Sequence, residues 1–177
     1  YGGGDVSLLE IGQAYATLAR LGEGAGMLTP GGDNLQPALV RSVQELNGQV
    51  LLDHTLPETR PVLSAPLAYL VQNVLADDTA RQPTLGYPSP LDLGRPSAAK
   101  VGRADGGRQV WTVGYTPDRL AVTWLGLSAD SPRALDVRSA AGLWYAQIQN
   151  AASGQPFTGW QMPAGVSQVD VCDPSGL

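Results

Sequence analysis

The 177 residues carry a net charge of -5, and only 15% are charged against 43% hydrophobic. That balance describes a globular chain with material for one core, and it excludes a nucleic-acid binder, which would show a basic patch. No apolar stretch reaches the roughly 18 residues needed to span a membrane. The opening residues show no signal peptide, so the expectation is a cytosolic chain or one cut from a longer exported protein. Glycine (22) and proline (14) make up about a fifth of the chain, which implies many turns without low complexity.

In chain order, "YGGGDVSLLEIGQAYATLARLGEG" opens with glycines and then turns helical over about 7–21. Ser7 and Glu10 have capping-box spacing. Leu8, Ile11, Tyr15, Leu18 and Ala19 share one face, and Gly22 is a stop signal. "LVRSVQELNGQVLLDH" reads as a hairpin around Asn47-Gly48. A second helix is predicted near 65–76, capped by Ser64, with Leu67, Val71, Val74 and Leu75 inward. Residues 77–96 read as loop. Three strands follow, near 97–103, 109–116 and 120–127, joined by "ADGG" and "TPDR". They should form an antiparallel meander with the first strand at the cleft-facing edge. The last two are apolar on both faces, as a covered sheet requires. A third helix near 137–151 should pack through Leu143, Trp144 and Ile148. The tail from 153 lacks periodicity apart from a short β-like run near its end and reads as a linker. Helices, hairpin, meander and helix together make an α+β pattern, an antiparallel sheet flanked by helices.

Few residues could carry chemistry. Cys172 and His54 are each alone in the sequence, so neither an internal disulfide nor a Cys/His metal set can form from them. No metal or cofactor is expected. Asp77-Asp78, Asp92 and Asp105 are scattered. Trp111, Tyr115, Trp124 and Trp144 fall in strand and helix periods and read as core or sheet surface rather than a sugar platform. Ser97 and Lys100 have the S-x-x-K spacing of an acylated serine and its lysine, which works only when both sit on one helical turn. Val101, Gly102 and Gly106-Gly107 follow too closely for a helix. Lys100 on an edge strand is the better reading: a cation for a substrate carboxylate, with Gly102 admitting a substrate backbone. The plain alternative is an exposed lysine that guards a sheet edge.

The order of segments adds a resemblance. "GGGDVSLLEIGQAYATLARLGEG", "QPALVRSVQELNGQVL", "VLSAPLAYLVQNVLAD", "GRPSAAKVGRADGGRQVWTVGYTPDRLAVTWLG" and "PAGVSQVDVCDPSGL" resemble, in sequence, the transpeptidase domain of class A penicillin-binding proteins. The resemblance implies the penicillin-binding, β-lactamase-like fold, with only its C-terminal portion in residues 1–152 and a linker or tail in 153–177. Lys100 then matches the lysine of K-T-G-T, and Ser97 is no nucleophile. The family's acylated serine and its S-x-N would lie upstream, together with the first strands of the sheet. This chain alone is expected to be catalytically inactive. Val101 and Arg103 stand where the family has hydroxyls, Gln109 where it has aspartate, and Thr112 where it has phenylalanine. Substrate contacts are expected at Lys100, Gly102 and Arg103, the two cations converging on one carboxylate.

The resemblance implies a D,D-transpeptidase part acting on peptidoglycan stem peptides and binding β-lactams weakly or not at all. Its alternative is a non-catalytic module that supports a glycosyltransferase or binds cell-wall partners. It also implies the extracytoplasmic face of a bacterial membrane, with an anchor outside this chain.

Overall fold

The computed structural model describes residues 4–29, 31–170 and 172. Helix α1 (Leu8–Ala19) starts at Ser7, whose side chain and that of Glu10 form the reciprocal capping box. Its end needs two left-handed residues, Leu21 and Gly22. A Cβ on Gly22 would fall 2.3 Å from the Leu63 carbonyl oxygen, so only glycine fits there.

Strand β1 (Glu23–Leu28) follows and pairs with β2 (Leu35–Gln36) on one side and β5 (Glu58–Pro61) on the other. Between them the hairpin β3 (Ser42–Gln44) and β4 (Val50–Asp53) forms its own two-stranded sheet. The Gly48 amide donates to the Glu45 carbonyl, and Gly48 has φ +92. The Asn47-Gly48 signal thus closes a turn over 45–48 with its glycine left-handed.

Helix α2 (Ala65–Ala76) begins at Ser64, although the serine side chain makes no capping bond. Ala68 and Gln72 are its buried residues, while Leu67, Val71 and Val74 are exposed. Three of the four residues predicted inward are thus turned outward and Leu75 is half-buried, so α2 packs through the adjacent side that carries Ala68 and Gln72. A short helix α3 (Asp78–Leu85) occupies part of the expected loop. The Asp77 carboxylate accepts from the Thr79 and Ala80 amides and starts it. Its eight residues carry too little apolar periodicity to be read in advance.

The meander is as expected. Strands β6 (Ala98–Ala104), β7 (Gln109–Tyr115) and β8 (Leu120–Gly126) pair antiparallel in that order, with β6 at an edge. Helix α4 (Val137–Ala151) covers one face through Val137, Ala140, Ala141, Trp144 and Ile148. Leu143 is 49% exposed, a correction to its predicted role: it sits outside the stripe of residues spaced three and four apart. Helix α1 covers part of the other face, with the Gly12 backbone close to Leu120 and Val122.

Residues 155–170 contain no regular element but run back over the domain. The Trp160 indole donates to the Ala19 carbonyl at 2.8 Å and meets the Tyr115 ring edge-on. Phe157 lies under the Arg95 guanidinium. The predicted β-like run near the C-terminus shows no strand through residue 170; residues 171 and 173–177 lie outside the described ones.

Candidate functional site

The edge strand β6 sorts its side chains by strict alternation. Lys100 is opposite Val113 and Gly102 is opposite Trp111, on the face that α1 partly covers. Ala99, Val101 and Arg103 point to the α4 face, where Val101 packs against the hydrophobic core. Val101 thus has a packing role, and a hydroxyl there would have to enter the core.

Lys100 and Arg103 are exposed. Among the described residues no carboxylate pairs with either of them. Their separation of three positions starts them from opposite faces of β6, yet both line one open cleft. The Arg103 stem folds toward the turn at Gly107, its Cδ 3.5 Å from where a Cβ of Gly107 would stand. Gly102 faces open space: a Cβ there would meet only the Trp111 Cβ, at 3.7 Å. Packing does not demand a glycine at this position.

An open cleft of about 680 Å³ borders β6. Lys100, Gly102 and Arg103 line it together with Ile11 and Tyr15 of α1 and Trp111 of β7. Asp5 is the acidic residue on its rim. Burial raises the Tyr15 phenol above its usual range, so it stays neutral and can donate. Ile11, Tyr15 and Trp111 were not singled out by sequence as neighbours of Lys100. The signal was present in the helical face of α1, which needed a partner surface to be meaningful.

Ser97 immediately precedes β6 and is not helical. Ala98 and Ala99 lie between it and Lys100, and three extended steps span roughly 10 Å, beyond proton transfer. The S-x-x-K spacing is therefore accidental. Gln109, where the resemblance would place an aspartate, accepts from the Trp124 indole at 3.2 Å. Thr112, where it would place phenylalanine, is fully buried with its hydroxyl unpartnered. Among the described residues no group of three or more His, Cys, Asp or Glu gathers to hold a metal, and no helix is long and apolar enough to cross a membrane.

No family model matches the chain. Among curated proteins it is similar to penicillin-binding protein 1A of Clostridium perfringens, 29% identical over 158 residues, which is 86% of this chain and 18% of that protein. The protein of the same name from Mycolicibacterium smegmatis is 32% identical over 128 residues, 67% of this chain and 14% of the relative. The chain thus spans less than a fifth of the length of either. Among solved structures, penicillin-binding protein PonA1 from Mycobacterium tuberculosis superimposes with a TM-score of 0.67 at 25% identity, over 91% of this chain and 45% of that one. Penicillin-binding protein 1A from Haemophilus influenzae gives a TM-score of 0.75 over 97% of this chain and 30% of its own, at 16% identity.

Proposed function

The chain belongs to the class A penicillin-binding proteins, and from that premise we propose that it is the substrate-flanking C-terminal part of a D,D-transpeptidase domain for peptidoglycan cross-linking. One observation carries the reading: among the described residues Lys100 stands exposed and without an ion pair on an edge strand, beside an open cleft. A carboxylate of a stem peptide or a β-lactam is the complement of such a cation, and Gly102 leaves its backbone open to an approaching chain. Arg103 lines the same cleft and adds positive charge beside Lys100. The acylated serine belongs to sequence outside these residues, and so does any membrane anchor on the extracytoplasmic side.

A second reading, a non-catalytic transpeptidase-like module, is favoured by Val101. Its position holds a core side chain in place of a ligand-facing hydroxyl. Calorimetric titration with a peptide ending in D-Ala-D-Ala separates the two. The transpeptidase reading expects measurable binding that Lys100→Ala removes. A charge-assisted contact of about 1.5–3 kcal/mol corresponds to roughly tenfold to a hundredfold in affinity. No binding in the wild type and none after Val101→Thr with Arg103→Thr leaves the module. Intact-mass measurement with excess penicillin should show no adduct, and a mass increase mapped to Ser97 would overturn the assignment of β6.

A further inference from the structure

The β3–β4 hairpin stands apart from both packed layers. Every residue from 38 to 51 is exposed, including Leu39, Val40, Val43, Leu46, Val50 and Leu51. A lone two-stranded hairpin is marginal in water and gains stability from further strands. Both its long edges are unpaired among the described residues, where the sheet contains these two strands alone.

The direction of the β3 backbone is fixed by two bonds. The His54 amide donates to the Arg41 carbonyl at 2.7 Å, and the Glu45 amide donates to the Gln49 carbonyl at 2.8 Å. Arg41 and Glu45 thus turn their backbone groups toward β4. Alternation then points the amides and carbonyls of Ser42 and Gln44 outward along the bare edge.

We propose that this edge is a self-association surface, whose occupant is β3 of a second copy of this chain, antiparallel about a two-fold axis at Val43. In that register Ser42 lies opposite the partner's Gln44, and Gln44 opposite the partner's Ser42. These are the residues whose backbone groups are free, so the ladder closes without disturbing β4. Val43 meets the partner's Val43. Arg41 falls opposite the partner's Glu45, and the symmetry repeats that pair of opposite charges. An isologous contact must be complementary to itself, and this five-residue stretch satisfies that requirement in hydrogen bonding, apolar contact and charge. Strand β4 does not: Asp53 is its lone charged residue, so pairing with itself joins no opposite charges. Neither Arg41 nor Glu45 takes part in an ion pair among the described residues. The Glu45 carboxylate accepts from the Asn47 amide.

Sedimentation equilibrium of the 177-residue chain, from about 10 μM to about 1 mM, tests the proposal, because so small a contact gives a weak, reversible dimer. The expected result is a mass rising toward the dimer at the top of that range and falling back at high salt. Arg41→Glu sets like charges opposite each other twice and should weaken association roughly tenfold. The double variant Arg41→Glu with Glu45→Arg should restore it. Ser42→Pro removes an outward donor while leaving the bonds to β4, and should abolish the dimer with an unchanged melting curve. A chain that stays monomeric at 1 mM overturns the proposal and leaves the edge to a strand of another kind. So does a dimer that persists in Ser42→Pro, or one that Arg41→Glu weakens and the double variant fails to recover.

Discussion

The two faces of the β6–β8 sheet are made from the same three strands and end in opposite conditions. On the α4 face Val110, Thr112, Trp144 and Ile148 are fully buried, and the Trp144 indole donates to the Ala121 carbonyl at 3.1 Å. The approach is so close that a Cβ on Gly114 would lie 2.5 Å from the Ala99 Cβ and 2.6 Å from the Trp144 ring. On the α1 face, cover is partial. Trp124 stays 43% exposed, and α2 beside it leaves Leu67, Leu70 and Val74 in solvent. One face is a finished interior; the other is an apolar surface that three helical turns do not hide. The difference teaches that the apolar alternation of a strand guarantees a hydrophobic face but not a partner for it.

Substitutions of similar type on the two faces should therefore diverge. Trp144→Ala empties a fully buried site and should cost about 3–5 kcal/mol, enough to abolish the cooperative melting transition of a marginal domain. Val74→Ser, at a position 70% exposed on α2, should change stability by no more than about 0.5 kcal/mol. Chemical denaturation of both variants measures the contrast, and equal losses would mean that α2 is as closely packed as α4.

A smaller effect of opposite sign is expected within the finished face. The Thr112 hydroxyl is buried without a partner, so Thr112→Val should stabilise by about 1 kcal/mol or more through removal of an unsatisfied group. A loss of stability on the same measurement would show that the hydroxyl has a bound water.

The third prediction concerns Tyr115, which points toward α1 and is buried with its hydroxyl unpartnered. Burial, reinforced by Tyr15, pushes its phenol well above the usual range. The folded state then holds this proton more tightly than the unfolded state. Its contribution is complete below the unfolded value near pH 10 and is lost as pH rises beyond it, at no more than about 1.4 kcal/mol per pH unit. Tyr115→Phe should flatten that alkaline decline. An unchanged decline would assign it to other groups.

How much of this was legible varied with local pattern. The meander could be read because turn residues separate three runs of strand-forming side chains. Strands β1, β2 and β5 could not, since "EGAGML" alternates glycines instead of apolar residues. Those glycines answer to neighbours: a Cβ on Gly26 would lie 2.4 Å from the Gln36 carbonyl oxygen. The helices were found, and α4 does pack through Trp144 and Ile148, but Leu143 and most of the α2 face were misjudged. Counting large apolar residues chose Leu143 and Leu67, whereas Ala140, Ala141 and Ala68 are fully buried. Small side chains set the distance between helix and sheet, and hydrophobicity alone undervalues them. At the candidate site, Lys100 was legible from its motif. That Lys100 and Arg103 start from opposite faces of β6 was implicit in the two-residue period of the strand itself.

The returning tail has a kinetic consequence. The bond from Trp160 to Ala19 joins residues 141 positions apart, and it ties the end of α1 to a side chain that lies beyond α4. Contacts of such separation are entropically costly to close and slow folding. During synthesis α1, the meander and α4 all emerge before Trp160 does. Until it arrives, the edge of Tyr115 and the end of α1 stay uncapped, and a nascent chain holds that apolar surface open until the segment beyond α4 has been added.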